Sequence, residues 1–243
     1  MNALESNRFT NCWRELVAMR PVPRAIVAVS AHWYINATAV TAMEKPRTIH
    51  DFYGFPDELF AFEYPCPGSR AIAQEVVDAL APAWVGSDTD SWGIDHGTWS
   101  VLTHMFPAAD VPVLQLSIDA TKSFADHVGI GAGLSRLQDE GILVLGSGNV
   151  VHNLGRLAWD RPDDGYDWAR SFDDAARAIM TGDPSSITNL VSHDAFSLAV
   201  PTPDHFIPLL YIAGAAVASG RSASTLVEGC SMGSLSMTSY FVD

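Results

Sequence analysis

The sequence predicts an α/β fold: a single domain over residues 1–243, with a central, mostly parallel or mixed sheet and helices on both faces. Two observations carry that expectation. Short apolar, β-branched runs at residues 24–30, 111–118 and 142–145 have the composition of strands buried on both faces. Longer segments of helical period lie between them, so strands and helices alternate along the chain. No internal repeat or linker divides it.

Taken in order, residues 3–19 read as a helix with Trp13, Leu16 and Val17 inward, broken by Pro21 and Pro23. Residues 24–30 follow as a central parallel strand with His32 at its C-terminal end. A second strand fits residues 38–43. Residues 48–68 are rich in aromatics, Pro and Gly, as in a packed loop or a pocket wall. Residues 69–81 place Ile72, Val76, Val77 and Leu80 on one helical face. A short helix at 97–106 ends at Pro107, and the strand at 111–118 follows. The helix at 123–139 closes with Gly141 in a C-cap position, and the strand at 142–145 runs into Gly146-Ser-Gly-Asn149. Residues 166–180, 185–191 and 204–219 read as helices, and 224–228 and 234–242 as final strands.

Composition narrows the function. The formal net charge of −14 repels phosphate backbones and anionic membranes, so neither nucleic acid nor a membrane surface is an expected partner. The longest apolar stretch, 206–218, is interrupted by Pro208 and is shorter than the ~18–20 residues of a membrane span. The opening Met1-Asn2-Ala3-Leu4-Glu5 lacks a basic-then-apolar signal pattern. Cys12, Cys66 and Cys230 are far apart and form no CxxC, which suits core residues in a reducing cytoplasm. The acidic stretch 160–167 reads as a solvated loop, and Asp173-Asp174 as a solvated helix face.

The histidines carry the chemical signal. His32 follows one apolar strand, His152 follows another through a Gly-Ser-Gly-Asn turn, and His205 lies at the first turn of the helix from Asp204. Beyond the carboxyl ends of strands in an open α/β sheet is where ligands bind, and imidazole suits zinc and iron. His96 sits between two glycines in Gly93-Ile-Asp-His-Gly97, as a close approach to a ligand requires. His127 and His193 read as exposed, and His104 as an ordinary helix residue. There is no P-loop, dinucleotide fingerprint or HExxH.

Several strings, in order, carry a resemblance: Ser30-Ala-His-Trp33, His50-Asp-Phe-Tyr-Gly-Phe-Pro56, Tyr64-Pro-Cys-Pro-Gly68, Gly93-Ile-Asp-His-Gly-Thr-Trp99, Gln115-Leu-Ser-Ile-Asp119, Ser147-Gly-Asn-Val-Val-His-Asn153 and Pro201-Thr-Pro-Asp-His205. Together they resemble the DOPA 4,5-dioxygenase-like branch of class III extradiol dioxygenases, and the match runs through Met232-Gly-Ser-Leu-Ser-Met237. The resemblance implies one divalent metal, Fe(II) for turnover or Zn(II) as bound, with a small aromatic diol and O2 as substrates. It implies His32 as a metal ligand, His205 as a ligand or an adjacent site residue, and His152 as either ligand or acid/base. It implies His96 as the residue that meets substrate or oxygen, and His50 as a substrate-binding residue on the pocket wall. Family members carry a short strand ending in His-Gly-Ser-Pro before a segment like Met1-Asn2-Ala3-Leu4. The chain is therefore expected to lack the first ligand, through a start assigned at an internal Met or a truncated product. Two rival functions are a zinc-dependent hydrolase on the same histidines and a non-enzymatic binding protein with a degenerate metal pocket. The residues leave oligomeric state open.

Overall fold

The computed structural model describes residues 2–242, and its contacts fall into two compact units. The first holds the residues up to Thr121 together with Arg136–Ser147. The second holds Lys122–Ser135 and everything from Gly148 onward.

The first unit is built on a five-stranded sheet of β1 (Ala25–Ile35), β2 (Ala39–Thr41), β3 (Gly86–Asp88), β4 (Val113–Asp119) and β5 (Ile142–Ser147), in the order β3-β2-β4-β1-β5. β1 runs parallel to both β4 and β5, and β2 parallel to β3; β2 and β4 are antiparallel. The sheet is thus mixed and mostly parallel, as expected. Ala25–Val29 and every residue of β4 are buried; Ala25–Val29 is accordingly unbroken apolar sequence, whereas β4 carries Gln115, Ser117 and Asp119 at alternate positions. The polar exceptions are bonded: the Gln115 amide N–H donates to Thr41 Oγ1 (2.9 Å) and Ser117 Oγ to the Ala37 carbonyl (2.8 Å).

β1 extends five residues beyond the expected strand end, so His32 lies within the strand. Its pairing with β4 shifts register between Val29 and Tyr34. Such a bulge bends a strand and re-aims its side chains, which an apolar pattern alone does not signal.

Four helices and the end of a fifth belong to this unit. α1 (Arg8–Ala18) starts at Asn7, whose side chain accepts from the amides of Phe9 and Thr10, while Thr10 Oγ1 caps Asn7 in return. That cap, five residues into the expected helix, is why it begins late. α2 (Asp57–Phe60) is a single turn inside the aromatic loop, and α3 (Arg70–Leu80) is capped by Ser69 with Ile72, Val76 and Leu80 buried. α4 (His96–Met105) is capped by Asp95 and packs against β1 and β5. α5 (Phe124–Asp139) ends before Gly141, whose φ of 74° is the left-handed conformation expected of it.

The second unit holds the start of α5 together with α6 (Asp167–Thr181), α7 (Phe196–Ala199) and α8 (Ile207–Ala218), and two small antiparallel pairs. β6 (Ser224–Val227) pairs with β9 (Ser239–Phe241), and β7 (Cys230–Ser231) with β8 (Leu235–Ser236). Gly131 of α5 sits against the Tyr211 backbone and Gly214 of α8 against the Val128 carbonyl, so the two helices touch at glycines where a Cβ would clash.

Several expectations are corrected here. α8 starts at Ile207 because Pro208 occupies its first turn, leaving His205 in the preceding turn. Pro184–Ser192 is a 3-10 helix, and 234–242 is two short strands. β3 and β7, three and two residues long, were too short to leave a pattern. His127 is fully buried, its Nδ1 3.1 Å from the Tyr211 hydroxyl. Asp173 is buried too: it accepts from the hydroxyls of Ser236 and Thr238, both at 2.6 Å, while Asp174 stays exposed. Both acids were expected on a solvated face of α6, but hydroxyls from the C-terminal segment reach one of them.

Candidate active site

The first unit gathers His32, Asp51 and His96, and each side chain is fixed by a separate piece of backbone. His32 comes from β1 just past the register shift. His96 opens α4 behind Asp95, a fully buried carboxylate. Asp95 accepts from the Thr98 amide (3.0 Å) and from Gln115 Nε2 (2.7 Å), while Gln115 Oε1 accepts from the Asp95 amide (2.7 Å). α4 is therefore tied through its cap to the middle of β4. Asp51 arrives by way of a parallel bridge between Thr48 and Ile94, in which the Ile94 amide donates to Arg47 and the Ile49 amide to Ile94, both at 2.8 Å. Gly93 permits that bridge, since a Cβ there would strike the Arg47 carbonyl.

Asp51 then joins the two histidines. Its Oδ2 lies 2.8 Å from His32 Nδ1 and its Oδ1 2.9 Å from His96 Nδ1, and Oδ1 also accepts from the His96 amide at 3.1 Å. Burial works to raise the Asp51 carboxyl, but the two imidazole hydrogen bonds outweigh it and hold the group far below the usual carboxylate range. The first-turn amide of α4 adds a favourable partial positive charge. The three side chains are 20%, 19% and 29% exposed, enough for a small molecule to reach them. The rings of His32 and His96 meet edge to face, centroids 3.9 Å apart.

Small residues make this contact possible. A Cβ on Gly97 would lie 2.6 Å from Ser30 Oγ and 2.9 Å from His32 Cδ2. Ser147 Oγ, at the end of β5, donates to the Gly97 carbonyl at 2.6 Å and holds the turn in place.

The aromatic loop lies beside the pair. Phe52 packs edge-on against His96 at 5.2 Å, with Phe60 at 4.9 Å and Phe55 at 5.4 Å around it. Phe52 and Tyr64 are buried, whereas Phe55 and Phe60 are 43% and 41% exposed, so the loop is partly core and partly wall. His50 sits behind it: its Nε2 donates to the Phe62 carbonyl at 2.7 Å and its ring lies 5.9 Å from Trp99. His104, expected to be ordinary, bonds Arg14 and the Asn2 carbonyl, both at 2.6 Å.

The second unit brings together His152 and His205, whose rings stack in parallel with centroids 3.5 Å apart and an interplanar angle of 2°. His152 is set by its amide, which donates to the Ala199 carbonyl (2.9 Å), and by an antiparallel bridge to Leu235. Gly148 lets its loop approach the His205 carbonyl, where a side chain would not fit. Asp204 Oδ2 lies 3.7 Å from His205 Nε2.

The donor chemistry fits a divalent ion. Ligating atoms of His32, Asp51 and His96 lie within 4.8 Å of one another, and imidazole with carboxylate is a set that zinc and iron both accept. The 2.8 and 2.9 Å separations are hydrogen-bond lengths, so as folded the carboxylate holds the Nδ1 side of each ring and leaves each Nε2 to be the donor atom. Asp51 escaped the sequence reading although it stands inside the string that singled out His50. An acid next to that histidine was the available signal; nothing in the spacing of residues 32, 51 and 96 reveals the bridge.

Comparison with known proteins follows the same lines. Residues 3–242 match the family described as the catalytic LigB subunit of aromatic ring-opening dioxygenase. The chain is 48% identical to the 4,5-DOPA dioxygenase extradiol of Escherichia coli K12, over 98% of this chain and 89% of the relative. It is 37% identical to the protein of the same name from Beta vulgaris, over 87% and 80%. Among solved structures, an uncharacterized Escherichia coli K12 protein superposes with a TM-score of 0.84 at 44% identity, covering 98% of this chain and 93% of the other.

Proposed function

We infer this chain's reaction from its membership: it belongs to the family of catalytic LigB subunits of aromatic ring-opening dioxygenases, enzymes that act on aromatic compounds with O2. Within that class, the reading is extradiol cleavage of a catechol such as DOPA, the compound for which the relatives are named. The observation that carries it is the carboxylate-bridged pair His32–Asp51–His96 set against an aromatic wall, where a flat ring has apolar surface beside imidazole. Family and relatives favour neither the hydrolase nor the binding-protein alternative.

His32 and His205 are the proposed metal ligands, with His32 presenting Nε2, and ligation by His152 is the alternative to the acid/base role it is given. A bound divalent ion supplies a Lewis acid that lowers the proton affinity of the diol oxygens, and only iron(II), not redox-inert zinc, suits a reaction with O2. Zn(II) is then a resting occupant. His152 is the proposed acid/base: a near-neutral imidazole accepts the second phenolic proton and later returns one. His96, anchored by Asp51, stabilises negative charge on oxygen, and His50 backs the wall against which the ring lies. Among the described residues no helix is long and apolar enough to cross a membrane, and cysteines 12, 66 and 230, none of them in a disulfide, accord with a reducing cytoplasm.

The test is His152→Ala in iron-loaded protein given DOPA under air. Loss of about 10²–10⁴ in kcat with iron content retained is the result expected of an acid/base. Parallel loss of iron would make His152 a ligand, and full turnover would remove it from the chemistry.

A further inference from the structure

We propose that Asp51 is the positioning residue of the site: one carboxylate sets the tautomer of two imidazoles at once, placing a proton on Nδ1 of His32 and of His96 and leaving both Nε2 atoms as lone-pair donors. The part that concerns metal rests on the reading of His32 as a ligand; the part that concerns tautomers stands on the geometry alone.

An ionised carboxylate only accepts hydrogen bonds, so any ring nitrogen 2.8–2.9 Å from it must carry the proton. Each oxygen serves one ring, Oδ2 for His32 and Oδ1 for His96, so the two histidines cannot choose tautomers independently. Asp51 is in turn held in place by the His96 amide and by the Thr48–Ile94 bridge upstream. A neutral imidazole protonated on Nδ1 offers Nε2, and only Nε2, to a cation or a substrate proton.

Asp51→Asn tests this with one atom changed and the shape kept. The amide nitrogen must donate where an oxygen accepted, so the facing imidazole must present a bare Nδ1 and move its proton to Nε2, where it blocks ligation. Nitrogen-15 NMR of histidine-labelled, metal-free wild-type protein is expected to give Nδ1–H signatures for both His32 and His96. An Nε2–H signature on either ring in the wild type overturns the proposal, whatever becomes of the variant. In Asp51→Asn at least one ring is expected to switch, and zinc affinity, read by chelator competition, to fall roughly 10–100-fold. Unchanged tautomers, or zinc affinity within twofold of the wild type, overturn it. Histidine 32 is checked separately: if His32→Ala binds zinc as the wild type does, the ligand assignment and the functional reading fail, and the Nδ1 protons of the wild type still stand or fall by their own spectrum.

Discussion

Replacing Gly97 by alanine tests how tightly His32 is held against α4. Gly97 is the second residue of the helix, where alanine would ordinarily stabilise by about 1 kcal/mol through helix propensity. Here the new methyl would stand 2.6 Å from Ser30 Oγ and 2.9 Å from His32 Cδ2. Ordinary carbon contacts begin near ~3.5 Å, so the ring must retreat by roughly half an ångström or the helix must lift away. Overpacking of this kind costs about 1–3 kcal/mol, which offsets or outweighs the propensity gain and leaves a net loss of up to about 2 kcal/mol. For a chain of this size that lowers Tm by up to about 8 °C. Displacement of a positioned side chain by about half an ångström should also cost on the order of tenfold in kcat/KM. The assay pairs thermal unfolding with turnover and uses Gly129→Ala in α5 as its reference, because a Cβ at Gly129 meets nothing within 4 Å. That variant should gain about 0.4–1 kcal/mol with activity unchanged. If Gly97→Ala is as stable and as active as Gly129→Ala, the close approach of His32 to the helix is not what the site depends on.

Three further outcomes follow from other regions. Burial raises the pKa of Asp173 and the Ser236 and Thr238 hydroxyls only partly offset it, so its folded pKa stands above its unfolded one. Its contribution is then complete below the unfolded pKa of about 3.9 and is lost as pH rises through the folded value, so wild type should lose stability relative to Asp173→Asn as pH is raised from 4 towards 7, read by denaturant unfolding; a gain over that window would contradict the assignment. Burial pushes the thiols of Cys66 and Cys230 up to about 12, so alkylation of the native protein at pH 8 should modify Cys12 first, and all three only after unfolding; mass spectrometry reads the sites. Ser147→Ala removes the hydroxyl that donates to the Gly97 carbonyl and should cost about 1 kcal/mol in the same unfolding assay, with a loss within error counting against that bond as a support of the turn.

The sheet was legible because its strands are covered on both sides. Ala25–Val29 of β1 and Ile142–Leu145 of β5 are unbroken apolar runs, β4 is apolar apart from Gln115, Ser117 and Asp119, and parallel pairing follows from the helices that separate them. β3, with the sequence Gly-Ser-Asp, is strand only because Ala39–Thr41 offers it a partner, and no local pattern announces that. His32 and His96 could be named because they stand at a strand and at a helix start. Asp51 could not, since the bridge that delivers it pairs residues 48 and 94. The misreadings of His127 and Asp173 share a cause: a polar side chain on an amphipathic helix looks solvated until a hydroxyl from a distant element meets it, Tyr211 in one case and Ser236 and Thr238 in the other.

The reaction itself is tested most directly by oxygen balance. Iron-loaded protein given DOPA and isotopically labelled O2 should consume one O2 for each ring opened, place labelled oxygen in the newly formed carboxylate, and cut the ring beside the diol. Turnover that continues without O2, or a product cut between the two hydroxyls, would contradict the account.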